Sequence, residues 1–177
     1  MIRPAQPSDL DVVRALLLEA GLPPDGLEDQ FGPRYAVAEA GGALVGAAGV
    51  EVHGVFGLLR SVVVAPALRG TGLGRALVAD RLAWARRERL SAVFLLTTTA
   101  PDFFAALGFE RVARDAAPEE IRASREFATV CPGTSVLMRL TALLPCATGA
   151  ARLPCRLTDR PAPEGYEIRR QRHRAHP

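Results

Sequence analysis

The stretch Arg69-Gly-Thr-Gly-Leu-Gly74 decides how this chain is read. A valine-rich apolar run, residues 58–64, leads into it, and a long helical pattern departs from Leu73. Where a strand turns tightly into a helix, the first helical amides have no acceptor within the helix, and their convergence makes a site for a pyrophosphate. The glycines let an anion come close to those amides. Two other phosphate loops do not fit: a Walker loop closes with Gly-Lys-Ser/Thr, and a dinucleotide fingerprint carries Gly-x-Gly-x-x-Gly with an acid about twenty residues later. Here Leu73-Gly74-Arg75 follows instead. A glycine-rich turn that holds no ligand is the alternative.

Upstream of this turn, residues 35–40, 43–52 and 55–64 read as three successive strands joined by Gly41-Gly42 and His53-Gly54, both suited to tight antiparallel turns. Residues 1–5 can form an earlier strand, and Pro7-Ser8-Asp9 opens a helix with Leu10, Val13, Leu16 and Leu17 on one side. Residues 27–31 make a short helical turn after a Gly/Pro break. Downstream, Leu73, Leu77 and Trp84 join Val78, Leu82 and Ala85 in a broad apolar stripe, with Arg75, Asp80, Arg86 and Arg87 turned to water. Residues 92–96, 101–107 and 109–114 form a strand, helix, strand unit, and residues 135–140 supply the last strand. Residues 117–127 are mixed and charged. The alternation predicts an α/β fold, an α+β mixed sheet with helices on both faces.

A chain of 177 residues with 49% hydrophobic and 23% charged residues is long enough for one cooperative core. The formal charge of +3 is concentrated after residue 151, where seven arginines meet three acids; the first 151 residues carry 15 basic and 16 acidic groups. No nucleic-acid face is indicated. All 22 basic residues are arginine, a bias that carries little functional meaning. The apolar runs are too short to cross a bilayer, so no membrane association is expected. No charged leader with an apolar segment and cleavage site opens the chain, and the expected localisation is cytoplasmic. Cys131, Cys146 and Cys155 are odd in number and lack metal-ligand spacing, which argues against a disulfide scaffold and a zinc site. Residues 145–177 shift to Pro, Arg, Gly and Thr without a sustained period and read as a weakly ordered tail.

With Val64-x-Pro66 before it, the segment resembles the acetyl-coenzyme A signature of the GNAT superfamily of N-acetyltransferases, Arg/Gln-x-x-Gly-x-Gly/Ala, with Arg69, Gly72 and Gly74 in the three defining positions. The resemblance covers residues 1–144 and implies the acyl-CoA N-acyltransferase fold. Leu22-Pro23, Val37-Ala38-Glu39, Leu59-Arg60-Ser61, the run from Leu96 through three threonines to Ala100, Phe103-Phe104, Gly108-Phe109, Glu126-Phe127 and Cys131-Pro132 resemble the arsenic-resistance N-acetyltransferases. They are similar also to the acetyltransferase domain of N-acetylglutamate synthases. The implied cosubstrate is acetyl-CoA, with no metal ion. Its pyrophosphate would lie on Arg69, Gly70, Thr71, Gly72, Leu73, Gly74 and Arg75, and its pantetheine arm along Val62, Val63 and Val64. The implied partner is a small-molecule amine, and the family's habit of joining sheet edges or exchanging last strands makes a homodimer an expectation.

For the chemistry, a neutral amine attacks the thioester directly, so the carbonyl oxygen must be stabilised and the amine deprotonated. A backbone N–H from residues 62–64, taken here as that of Val64, polarises the carbonyl. Glu51 is the first choice for collecting the amine's proton, against an exposed edge carboxylate; Glu39 is the less favoured acid. Arg60 is the candidate clamp for an acceptor carboxylate, against a structural ion pair with an acid such as Glu51. Many relatives place a tyrosine where Phe104 stands; Phe104 has no proton to give, so it packs on the pantetheine arm or in the core. Thr97 lines the acceptor pocket or satisfies nearby backbone. His53 sits at a turn, and Cys131 has no evident base. The leading function is acetylation of a glutamate-like, phosphinic or arsenic-containing amino acid. Acetylation of a protein or peptide N-terminus and a non-catalytic acyl-CoA sensor are the alternatives.

Overall fold

The computed structural model describes residues 1–130 and 133–141. The expected tail, Cys131, Pro132, Cys146 and Cys155 lie outside the described residues. Seven strands form one mixed sheet: β1 (Ile2–Pro4), β2 (Tyr35–Ala40), β3 (Ala43–His53), β4 (Phe56–Val64), β5 (Ala92–Thr97), β6 (Glu110–Val112) and β7 (Val136–Leu140). Their spatial order is β1-β2-β3-β4-β5-β7-β6. All neighbours are antiparallel except β4 and β5, which run parallel. Four helices accompany the twisted sheet: α1 (Leu10–Glu19), α2 (Leu73–Arg87), α3 (Pro101–Ala105) and α4 (Glu119–Arg122).

Helix α1 forms because Val13 and Leu17 recur on one face, and both are fully buried against Tyr35, Val37, Ala47 and Val63. Each such side chain gains about 1.5–3 kcal/mol on burial. Its start is fixed by Asp9, which accepts the Gln6 N–H at 2.7 Å and receives both terminal nitrogens of Arg3 at 2.7 and 3.0 Å. On the opposite face, Leu77 of α2 packs with Ala36, Ala38 and Ala48, while Val78, Leu82 and Ala85 pack with Val50, Leu59, Val93 and Leu95. Phe104 and Leu107 extend that second layer, and Ile121 of α4 joins Leu58, Phe94 and Leu137 in a separate cluster.

Two features depart from the simple strand and helix order. The chain places β7 between β5 and β6, so the last two strands in sequence are exchanged in space. Residues 117–127, read as mixed and charged, contain α4 and the start of a π-helical turn, Glu126–Val130.

Candidate functional site

The site begins where β4 leaves β5. Only Phe56, Gly57 and Leu58 pair with β5, against Ala92, Val93 and Phe94, although both strands continue beyond those pairs. The cause lies on the other side of β4: Ala47 faces Val63 and Gly49 faces Arg60, so Ala48 alone spans Ser61 and Val62. This is a β-bulge, and Ser61 adopts a left-handed φ of 54° within it. The extra residue reverses the strand's alternation. Leu58 faces the α4 layer, whereas beyond the bulge Val62 and Val64 face α2 and Val63 faces α1.

The same register settles which backbone groups are spent. Ala65 N–H donates to Val45 O at 2.8 Å. Alternation therefore directs the polar groups of Val63 into the β3 ladder and those of Val62 and Val64 toward the gap beside β5. Of the three valines expected to meet the pantetheine arm, Val62 and Val64 turn backbone groups to the gap, and Val63 is engaged with Ala47.

At the end of β4 the glycine turn is held by its own side chains. Arg69 Nε donates to Val64 O at 3.1 Å, and Thr71 Oγ1 donates to Leu68 O at 2.7 Å. Gly70 and Gly72 have φ of 78° and 89°, which a side chain rarely adopts, and no heavy atom lies within 4 Å of where either Cβ would sit. Ala76 N–H to Gly72 O, 3.0 Å, is the bond that closes onto the cap of α2, so the amides of Leu73, Gly74 and Arg75 precede the ladder. Arg69 and Arg75 are exposed beside them. Open space, positive φ and free first-turn amides at a helix N-terminus fit a pyrophosphate.

A cavity of about 680 Å³ extends along the gap from the β4 bulge to residues 97–100 and α3. Residues 21–24 and the π-helical turn also line it, through Leu22, Pro23, Glu126 and Val130. Thr97 lines this cavity while its hydroxyl accepts the Ala100 N–H at 3.1 Å, so the pocket and backbone-capping readings both describe it. Phe104 likewise lines it and packs edge-on with Phe103 and Phe109, centroids 5.0 and 5.9 Å away.

Arg60 borders the cavity, yet its side chain is only 2% exposed. Nη1 donates to Glu51 Oε1 at 2.6 Å; Nη2 donates to Asp25 O at 2.6 Å and lies 3.2 Å from Glu126 Oε2. Both terminal nitrogens of the guanidinium expected to clamp a substrate carboxylate are thus engaged by protein acceptors, while its Nε is buried without a hydrogen-bond partner among the described residues; the ion pair with Glu51 is the other possibility that the sequence left. Glu51 also changes standing. It is not among the residues that line the cavity, and His53 Nε2 lies 3.3 Å from its second oxygen. Burial alone would push the Glu51 carboxyl up, but the hydrogen bond from His53 and the charge and hydrogen bond of Arg60 hold it below the ordinary carboxylate value. An ion-paired carboxylate with a lowered pKa is a weak proton acceptor, so Glu51 is the counter-ion of Arg60 rather than a free base. Glu39 pairs with Arg3 at 2.7 Å.

Sequence reasoning did not find Tyr35, Gly49, Ser61 or the Asp25 carbonyl. Tyr35 is fully buried with its ring over Gly49, where any Cβ would collide with it. Burial pushes its hydroxyl above the ordinary value. Glycine inside a long apolar strand was the available signal, since it marks a bulge or a close approach. Among the described residues, no cluster of three or more His, Cys, Asp or Glu has metal-binding geometry, and no helix is long and apolar enough to cross a membrane.

The acetyltransferase (GNAT) family matches residues 9–109. The chain belongs to the GNAT family. Among solved structures, N-acetylglutamate synthase from Neisseria gonorrhoeae complexed with coenzyme A and N-acetyl-glutamate is 26% identical with a TM-score of 0.67, over 78% of this chain and 34% of the synthase. This chain therefore spans about a third of that enzyme. Rv2747 from Mycobacterium tuberculosis, in complex with CoA and NLQ, is 26% identical with a TM-score of 0.67, covering 80% of this chain and 98% of Rv2747. The ribosomal-protein-S18-alanine N-acetyltransferase from Escherichia coli, at 18% identity and a TM-score of 0.60 over 79% and 92% of the two chains, shares the fold. The matched family is one of acetyltransferases, and both the synthase and Rv2747 are complexed with coenzyme A.

Proposed function

We propose that this GNAT protein transfers acetyl from acetyl-CoA directly to the primary amine of a small amino-acid-like acceptor of the glutamate-like, phosphinic or arsenic-containing kind. The observation that carries the reading is the cavity lined by β4, the loop at residues 21–24 and the turn Glu126–Val130, because it has room for a small acceptor beside the open edge of β4. The likeness to the Neisseria synthase, complexed with coenzyme A and N-acetyl-glutamate, supports an amino-acid acceptor.

In this reading the pyrophosphate sits on the amides of residues 70–75 and the pantetheine arm runs along Val62 and Val64. The Val64 N–H donates to the thioester oxygen, which becomes an oxyanion as the amine nitrogen bonds to the carbonyl carbon. Collapse breaks the carbon–sulfur bond and releases the thiolate of coenzyme A. Phe104 offers no proton, and none is required for departure, since a thiol with a pKa of about 8.5 leaves as its anion far more readily than an alkoxide. The acceptor ammonium loses one proton to solvent before attack, and the attacking nitrogen loses a second, to solvent or to the departing thiolate, as the intermediate collapses to the amide; the carboxylates at the bulge are held by Arg60.

The test is product identification by mass spectrometry after incubating the protein with acetyl-CoA and a mixture of free amino acids, phosphinothricin, arsinothricin, polyamines and short peptides. The expected outcome is one N-acetylated amino acid or analogue. Acetylation confined to peptide N-termini would transfer the reading to the peptide class.

A further inference from the structure

We propose that Arg60 is a positioning residue that locks the two segments bordering the acceptor chamber onto the β4 bulge, and that it does not contact the acceptor. The inference rests on the acetyltransferase reading only for the identity of the acceptor. Its two terminal nitrogens divide the work. Nη1 is anchored to the sheet through Glu51 of β3 at 2.6 Å, which fixes the rotamer. Nη2 reaches outward to both bordering segments at once, to the Asp25 carbonyl at 2.6 Å and to Glu126 of the π-helical turn at 3.2 Å.

Residue 26 shows how closely the first segment is seated. Gly26 has φ of 71°, and a Cβ there would lie 3.4 Å from Arg60 Nη1, 3.2 Å from Asp29 Oδ2 and 3.3 Å from Arg125 Cδ. A second link joins the same two segments, Arg125 Nη1 to Asp29 Oδ2 at 3.7 Å, but both side chains there are more than half exposed, so screening leaves it weak. The buried fork of Arg60 is the stronger tie. Leu22, Pro23, Glu126 and Val130 line the cavity, so its shape follows from where these segments are held. A π-helical turn is rare and, where it occurs, is frequent at functional sites.

Acceptor specificity is therefore set through Arg60 without charge recognition by it. A clamp and a positioning residue differ in what their loss does. Arg60→Met should raise the acceptor KM on the order of tenfold or more, by a similar factor for an amino acid and for the corresponding amine lacking the carboxylate, as expected when a buried tie is cut. The acetyl-CoA Kd should change by less than about threefold, because the glycine turn has its own ties through Arg69 and Thr71. Arg60→Lys should rescue only in part, since one ammonium cannot reproduce the fork.

The deciding experiment is hydrogen–deuterium exchange on the full chain with acetyl-CoA bound, read beside those kinetics. Arg60→Met is expected to speed exchange in residues 21–30 and 126–130 together. Glu126→Gln, a milder change that keeps the shape and should fold if Arg60→Met does not, is expected to speed exchange in residues 126–130 and leave residues 21–30 protected. Unchanged protection of either segment in Arg60→Met, or of residues 126–130 in Glu126→Gln, would overturn the proposal, as would a loss confined to carboxylated acceptors. Loosened segments without turnover of any amine would support the positioning role and count against the acetyltransferase reading alone.

Discussion

Replacing Gly49 by alanine isolates the packing on which the β4 bulge rests. Gly49 lies directly opposite Tyr35 in the β2–β3 ladder, and the tyrosine ring covers the space a side chain would fill. A Cβ at this position would sit 2.6 Å from Tyr35 Cδ1 and inside van der Waals contact of Cε1 and Cζ. The ring has nowhere to go: Tyr35 is fully buried, and Phe31 packs on it with centroids 5.1 Å apart. Overpacking a filled core costs about 1–3 kcal/mol, and three overlapping ring atoms place this case at the upper end, near 2–3 kcal/mol. In a domain of this size that loss lowers the thermal midpoint by roughly 5–10 °C. Urea unfolding followed by the single tryptophan should show a lower midpoint with an unchanged slope. Tyr35→Leu should cost less on the alanine background than on the wild type, by about 1 kcal/mol or more, because it removes the clashing ring. A Gly49→Ala protein within about 0.5 kcal/mol of wild type would show that the ring does not occupy this space, and the argument would fail.

Three further outcomes are expected. Gly72→Asp sets a carboxylate at the N-terminus of α2, where like charges cost several kcal/mol, so calorimetric titration should show the acetyl-CoA Kd raised on the order of a hundredfold, while the left-handed φ removes about 1–2 kcal/mol of stability. Val64→Pro deletes an N–H that the β3 ladder does not use, so kcat should fall by about 10²–10³ while far-ultraviolet circular dichroism stays unchanged; an unaltered kcat would remove Val64 from the chemistry. Glu51 has a folded pKa below its unfolded value, so its contribution is complete above the unfolded value and is lost as pH falls through the folded one. The stability gap between wild type and Glu51→Gln should therefore hold from neutrality to about pH 5 and shrink below it. A gap that widens on acidification would contradict the sign.

The order of elements was legible in the sequence because it is written locally. Gly41-Gly42 and Gly54 punctuate three strands, and a period near 3.6 after Leu73 places α2 directly behind the glycine turn. The bulge was not, since Ser61 looks like one more small residue in a strand; only the register against Ala47 and Gly49 shows the slip. The partners of Arg60 were hidden for the same reason. Glu51 and Arg60 are diagonal neighbours across the β3–β4 hairpin, but Asp25 and Glu126 arrive from segments with no regular period, and no local pattern brings them together. Thr97 and Phe104 each border the cavity while also bonding to or packing on their neighbours, and residue type alone does not separate the two roles.

The central claim is direct acetyl transfer to a small free amine from acetyl-CoA held by the turn at residues 69–75. It is tested most directly by following coenzyme A thiol release in the steady state with glutamate, phosphinothricin, arsinothricin, polyamines and short peptides as acceptors, for wild type and Gly72→Asp. Saturable release with one free amino acid or analogue, lost in Gly72→Asp at acetyl-CoA concentrations that saturate the wild type, is the predicted result. Tight acetyl-CoA binding without thiol release for any amine, or release unaffected by Gly72→Asp, would contradict it.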